Sequence, residues 1–271
     1  MKKIITFIGA GNMARSLIAG LIQDGTQHSI RISDPDESQL QNIQHNWSNV
    51  AAFSDNIEAV KDADVVVLAV KPQIMRLVCE PLQKAIQAHN PLVISIAAGI
   101  NITNLALWLG DNTLALVRCM PNTPSLVQSG MTGLFANKEV TEFQHDLAES
   151  ILRSVGSTLW LDREELLDAV TAVSGSGPAY YFLVMEAMQE AAQKLGLSAE
   201  DARLLVLQTA FGAAKLALES SDDAGTLRQR VTSKGGTTEA ALKKLVHGGL
   251  PELFEEALVA AALRSKELSE I

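Results

Sequence analysis

Residues 9–14 read Gly9-Ala10-Gly11-Asn12-Met13-Ala14, a G-x-G-x-x-A turn set directly behind the first apolar run, Lys3–Ile8. A chain that passes from a strand through such a turn into a helical pattern is directed toward a βαβ unit. Gly9 permits the tight turn and Gly11 lets backbone approach a pyrophosphate. Ala14, in the third small position, lets the helix pack close to the strand. The helix N-terminus then offers free N–H groups and the positive end of its dipole. A glycine-rich turn can also be purely structural; its place after a strand, inside a βαβ unit, favours the dinucleotide reading.

The pattern that follows repeats the unit. Strands are expected at Lys3–Ile8, Ile30–Ser33, Asp64–Ala69, Leu92–Ser95 and Thr113–Arg118, with helices near 12–24, 36–45, 73–88 and 101–109. Val65-Val66-Val67-Leu68-Ala69 and Leu92-Val93-Ile94 are continuous apolar runs, as in parallel strands covered on both faces. Past residue 162 strand-like runs vanish and Ala- and Leu-rich helical segments take over, at 164–195, 199–220, 224–231, 236–247 and 250–270. The expected fold is α/β: a doubly wound, Rossmann-type domain over 1–162, then an all-helical domain over 163–271. The apolar stripes of the helical part call for cover by a second subunit, with a self-contained bundle as the alternative. Ser198 with Asp201 forms a loose capping box, and Gly196 sits as a helix C-cap.

Composition removes several functions. The chain has 271 residues, 22 basic against 31 acidic, for a net charge of −9, and 4% aromatics. Neither a basic face nor base-stacking platforms are expected, which excludes nucleic acid as a partner. Cys79 and Cys119 cannot form a disulfide framework, and the five histidines lack ligand spacing, so no metal site is expected. The apolar run at the N-terminus stops at Gly9, short of the ~7–15 residues of a signal h-region. No run reaches the ~18–20 residues of a membrane span. A cytoplasmic protein without membrane contact is the expectation.

Ser33-Asp34-Pro35 closes the second strand. Asp34 stands about 20 residues past the glycine loop, where a carboxylate holds the ribose 2′-OH of NAD and repels a 2′-phosphate. Arg31 and Ser33 lie beside it, and Asp34 before Pro35 also suits a plain turn; NAD and NADP both stay open. A dehydrogenase acting on a hydroxyl needs a base to move the proton. Yet no lysine follows Ser174-Gly175-Ser176-Gly177-Pro178 until Lys194, and no histidine occurs between His145 and His247. An imine, electrophilic once protonated, needs less help. Ser233-Lys234-Gly235-Gly236-Thr237-Thr238 runs into a helix and makes a second nest of backbone donors, suited to a carboxylate. Its structural reading is a turn with Thr237 or Thr238 as N-cap.

Together these segments resemble the pyrroline-5-carboxylate reductase family over nearly the whole chain. The most specific piece is Leu227–Leu245, read as Leu-Arg-Gln-Arg-Val-Thr-Ser-Lys-Gly-Gly-Thr-Thr-Glu-Ala-Ala-Leu-Lys-Lys-Leu. Phe7–Met13, Ala69-Val70-Lys71-Pro72, Ser95–Gly99, Met120-Pro121-Asn122-Thr123-Pro124 and Ser174–Tyr180 follow in the family's order.

The resemblance implies reduction of 1-pyrroline-5-carboxylate to proline, with NADPH and sometimes NADH, in a homodimer that can build further into a decamer. It implies that Ile8, Gly9, Ala10, Gly11, Asn12 and Met13 wrap the pyrophosphate. Asn56 lies near the adenosine ribose, with Ser33 and Asp34 at the same end. Ala69, Val70, Lys71 and Pro72, with Ala97, Ala98 and Gly99, line the cofactor. Ser233, Gly235, Gly236, Thr237 and Thr238 take the substrate carboxylate, Thr238 is the catalytic hydroxyl toward the ring nitrogen, and Glu164 lies close to substrate. Asp34 stands where relatives often carry Ser or Thr, and Arg230 where they often carry Asn. Two rivals keep the architecture: a β-hydroxyacid-type dehydrogenase, opposed by the missing lysine, and a non-catalytic dinucleotide sensor, opposed by the intact 233–238 loop. Lys71 is expected at the surface, Met120–Pro124 as a wall of the nicotinamide pocket, and both cysteines as buried and inert.

Overall fold

The computed structural model describes residues 2–269. It contains two compact units: one runs to Ser176 and includes the C-terminal segment from Ala261, and the other spans Gly177–Ala260.

The first unit is built on an eight-stranded sheet. Its strands are β1 (Ile4–Ile8), β2 (Ser29–Ser33), β3 (Ala51–Phe53), β4 (Val65–Leu68), β5 (Leu92–Ser95), β6 (Leu116–Met120), β7 (Gly130–Ala136) and β8 (Gly156–Trp160), in the order β3-β2-β1-β4-β5-β6-β7-β8. All neighbours are parallel except β6 and β7. β4 and β5 are buried along their whole length, as their unbroken apolar sequence requires. Two apolar clusters cover the faces. One gathers Phe7, Leu17, Ile32, Val67, Ile94 and Ile151, and the other Leu68, Met75, Leu82, Leu105 and Leu116.

Helices α1 (Asn12–Gln23), α2 (Glu37–Asn46), α3 (Asn56–Val60), α4 (Met75–His89), α5 (Ile102–Leu109) and α6 (Glu142–Arg153) alternate with the strands. Five elements lie where the sequence reading expects none: the strands β3, β7 and β8 and the helices α3 and α6. α6 opens on a full capping box between Thr141 and Gln144. The strand expected over Thr113–Arg118 is β6, which starts three residues later and ends two residues later, at Met120. After β8 come α7 (Leu166–Val170) and a π-turn, Thr171–Gly175.

The second unit is all helical: α8 (Gly177–Lys194), α9 (Ala199–Glu219), α10 (Ala224–Arg230), α11 (Thr237–His247) and the first half of α12 (Leu250–Ser269). Ser198 caps α9, accepting the Asp201 N–H at 3.0 Å and donating to its carboxylate at 2.7 Å. Gly196 takes a positive φ of 100°, as a terminating glycine does. Among the described residues of this unit only Gly177, Ala202 and Val206 are buried. Tyr181, Phe182, Leu204, Phe211 and Leu218 lie open. A self-contained bundle is therefore not what these helices form: they carry apolar faces without a core of their own.

Candidate active site

Parallel register sets Ile8 level with Ser33 and Leu68, and Leu68 level with Ser95. The segments after these strands, Gly9–Met13, Ser33–Asp34, Ala69–Pro72 and Ala97–Gly99, therefore emerge at one edge of the sheet, the edge at which doubly wound sheets bind dinucleotides. Asn56 opens α3 beside them, since β3 pairs with β2 and Asp34 N–H donates to Phe53 O at 3.2 Å.

The glycine loop has the geometry that its sequence demands. Gly9 has φ +100°, and a Cβ there would stand 2.8 Å from Ala69 O. Beside Gly11 nothing lies within 4 Å of the corresponding point. Gly11 is the N-cap of α1 and supplies no capping side chain, so the first-turn N–H groups are left for a ligand. Ile8 and Ala10 are buried and can offer backbone alone, whereas Gly11 and Asn12 are exposed and Met13 is half-buried. Ser33 is fully buried, and its Oγ has no hydrogen-bond partner. An orphaned hydroxyl at the end of β2 and open space over Gly11 fit a dinucleotide.

Asp34 combines both of its expected roles in one carboxylate. Oδ2 accepts the Ala10 N–H at 2.7 Å and Oδ1 accepts the Asp36 N–H at 2.9 Å. Arg31 turns away to the carbonyls of Ala59 and Lys61, its guanidinium 5.9 Å from the Phe53 ring centre. Arg15 holds Ala10 O and the Gln39 side chain. Lys71 is exposed on an extended backbone (ψ 144°), as a residue before proline should be, and Val70 and Pro72 are half-buried. The Ala97 methyl belongs to the core, which leaves Ala98 and the backbone of Gly99 (φ +74°) for contact.

Glu164 is a strut. Its Oε1 accepts the Ile102 N–H at the start of α5 at 2.8 Å and the Arg118 guanidinium at 3.1 Å. Arg118 is 5% exposed. The sequence reading missed it, although a cation within a buried strand implies a carboxylate close by. Asn122, quoted only as part of a wall, is a buried bridge: its Nδ2 donates to Ser174 O at 3.0 Å and its Oδ1 accepts the Met131 N–H at 2.9 Å. It ties the β6 exit to the π-turn. The cysteines are buried, and burial pushes Cys79 up to about 12 and Cys119 higher still, so both stay as unreactive thiols.

In the second unit the 233–238 loop differs in detail from a simple nest. The Gly235 N–H is taken by Glu239 Oε2 at 2.6 Å and the Gly236 N–H by Ser233 O at 3.0 Å. The N-cap of α11 is Gly236, not Thr237 or Thr238, and no side chain caps the helix. Thr237 and Thr238 are the first two helical residues, and Thr237 and Ser233 are exposed. Among the described residues the hydroxyls of Ser233, Thr237 and Thr238 make no hydrogen bond. Side chains cap α2, α3, α5, α6, α9 and α10, through Asp36, Asp55, Asn101, Thr141, Ser198 and Asp223. The helices that follow the two glycine loops, α1 and α11, start on a bare glycine.

Residues 164–268 match the model for pyrroline-5-carboxylate reductase dimerisation, and residues 4–99 that for NADP oxidoreductase, coenzyme F420-dependent. A pyrroline-5-carboxylate reductase of Pseudomonas aeruginosa is 52% identical over 98% of this chain and 97% of its own. The chain belongs to the pyrroline-5-carboxylate reductase family. A solved pyrroline-5-carboxylate reductase from Coxiella burnetii superposes with a TM-score of 0.94 at 48% identity, covering 99% of each chain. The Plasmodium falciparum pyrroline carboxylate reductase, solved with NADP bound, gives a TM-score of 0.86 at 29% identity, covering 98% of each chain. An NADP-type oxidoreductase domain and a dimerisation domain are thus the two parts of this reductase. Among the described residues no helix is long and apolar enough to cross a membrane.

Proposed function

We propose that this reductase converts 1-pyrroline-5-carboxylate to L-proline in the last step of proline biosynthesis. A hydride adds to C5 of the C=N bond and a proton to the ring nitrogen. The observation that carries the reading is the pair of glycine starts without a side-chain cap, at Gly11 and Gly236, where α2, α3, α5, α6, α9 and α10 are each capped by a side chain. One suits a pyrophosphate and the other a carboxylate, the two anionic groups that this reaction brings together.

Reduced dinucleotide, when bound, supplies the hydride. Gly9 to Met13 hold its pyrophosphate through backbone, with Ser33, Asp34 and Asn56 at the adenosine ribose and Ala69–Pro72 and Ala97–Gly99 along its length. NADPH is the better donor and NADH a usable second one: Asn56 favours a 2′-phosphate, while Asp34 opposes one. The Thr237 and Thr238 amides, with Ser233 and the backbone of Gly235 and Gly236 shaping the loop, hold the substrate carboxylate. The Thr238 hydroxyl orients the ring nitrogen, and Glu164 offers substrate the oxygen that its strut leaves unused. Bare helical faces fit a homodimer in the cytoplasm, with decamers as the larger assembly.

Steady-state oxidation of NADPH and NADH with 1-pyrroline-5-carboxylate tests this. Turnover with both, faster with NADPH, is expected. Oxidation of a β-hydroxyacid with no imine reduction would instead establish the dehydrogenase rival.

A further inference from the structure

The substrate loop carries an acid of its own. Glu239, at the third position of α11, reaches back along the chain. Oε2 accepts the Gly235 N–H at 2.6 Å, while Oε1 lies 3.2 Å from Lys243 Nζ, one turn on. Gly235 has φ +77° with nothing within 4 Å of its missing Cβ. No packing therefore holds this left-handed residue in place, and the Glu239 bond does so instead. With Gly236 N–H closed onto Ser233 O, the loop is tied at both glycines. The amide donors left at the helix mouth are those of Thr237, Thr238 and Glu239.

The tether has an electrostatic consequence. A carboxylate in the first turn stabilises the helix and the loop. It also sets a negative charge beside the place where an anionic substrate docks. Lys243, the partner on the next turn, is 63% exposed and neutralises this charge incompletely.

We propose that Glu239 is a positioning residue for substrate: its side-chain oxygen preorganises the Gly235 loop, and its charge weakens the hold on the substrate carboxylate. This rests on the assignment of the 233–238 loop to that carboxylate. The two effects separate chemically. Glutamine keeps an acceptor for Gly235 and drops the charge; alanine drops both.

The test uses the full-length enzyme as Glu239→Gln and Glu239→Ala. Steady-state kinetics with 1-pyrroline-5-carboxylate at low and high ionic strength is combined with hydrogen exchange of the peptide containing Gly235. Glu239→Gln is expected to lower KM about threefold at low salt, with the gain fading at high salt, because screening removes the repulsion in the parent enzyme. Its exchange should match the parent's. Glu239→Ala is expected to speed Gly235 exchange and to raise KM roughly fivefold, with kcat nearly unchanged, the worth of about one hydrogen bond. Shifts of KM in the same direction for both variants, or native KM in both, overturn the proposal. Thr238→Val, measured alongside, separates the two levels. If it is impaired while both Glu239 variants stay native, the inference about Glu239 alone falls. If all three keep native kcat/KM, the assignment of the loop falls with it.

Discussion

Asp34 accepts the backbone N–H of Ala10 at 2.7 Å. The acid that follows β2 is therefore bonded to the glycine loop proposed for the pyrophosphate, and its other oxygen forms the turn to Asp36. On the proposed cofactor site, selectivity and loop shape are coupled through one carboxylate. This explains how an acid is retained in an NADP-type domain: it has structural work on the protein side of the site, whichever ribose substituent faces it.

Asp34→Ser separates the two roles. Serine is shorter and uncharged, so it gives up the Ala10 bond and the repulsion together. Loss of a hydrogen bond to a charged group costs about 1.5–3 kcal/mol. Removal of a like charge from beside a 2′-phosphate offsets that loss for NADPH but not for NADH. Fluorescence titration should show NADH binding weakened at least tenfold and NADPH binding nearly unchanged. A parallel loss for both dinucleotides would show that the carboxylate serves only the loop.

Glu164 and Arg118 form the buried pair of the first unit, with side chains 20% and 6% exposed. Removing one partner of a buried pair costs about 3–5 kcal/mol, and the partial exposure of Glu164 puts this site near the low end. Glu164→Ala also strands the Ile102 N–H at the start of α5. Urea unfolding should show Glu164→Ala destabilised by about 3 kcal/mol and Glu164→Gln by less, since glutamine still accepts that N–H. The double variant Arg118→Met, Glu164→Gln should be more stable than the sum of its parts. Strict additivity would mean that the two side chains act independently.

Acid should loosen the start of β1 first. His28 Nδ1 accepts the Lys3 N–H at 3.1 Å, which requires a neutral ring, and burial is the main cause that lowers the pKa of His28 from 6.5. A group lowered on folding contributes its full stability above its unfolded value and loses it as pH falls through the folded one. The His28 contribution is therefore complete above pH 6.5 and declines below it. Asp64 is also held low: burial would raise it, but the Lys3 ammonium and the Ile4 N–H outweigh burial. Its share is lost only below 3.8. Melting temperature followed from pH 7 to 5 should fall, and His28→Asn should flatten that slope. An equal slope in the variant would move the effect elsewhere.

Elements that bury a continuous apolar run were legible in the sequence. β1, β2, β4 and β5 lie within a residue of their expected positions, and β4 and β5 bury the runs that only a strand covered on both faces satisfies. β7 and β8 were not, since Gly-Met-Thr-Gly and Gly-Ser-Thr mix small and polar residues at a sheet margin. There the strand is made by contact: a Cβ at Gly156 would stand 2.1 Å from Gly130 O, and one at Gly133 2.8 Å from Val170. α6 carries a readable signal in its Thr141-x-x-Gln144 box, which precedes a helix without a long apolar run. In the site, glycine spacing gave the two loops. The partners of Glu164, Asn122 and Glu239 could not be read, because each joins residues through geometry that spacing does not encode.

The last prediction concerns Thr238. Its hydroxyl makes no hydrogen bond among the described residues, and α11 starts on Gly236 without a side-chain cap. No cap is lost when the hydroxyl goes, so the fold gives no reason for Thr238→Val to unfold the loop; the β-branched replacement also keeps the side-chain shape. The chemistry does give a reason for loss of activity. Threonine is too weak an acid to protonate an imine outright, and its proposed role is to fix the ring nitrogen by one hydrogen bond so that C5 accepts the hydride. Such a bond is worth about 1–3 kcal/mol when its partner is left unsatisfied, or roughly ten- to a hundredfold in kcat/KM at 1.36 kcal/mol per decade. Thr238→Val should lose activity in that range with a melting temperature within about 2 °C of the parent. Thr238→Ser, which restores the hydroxyl, should recover most of it. Native activity in Thr238→Val would remove the hydroxyl from the mechanism, and a fall in stability matching the loss of activity would make it a structural residue.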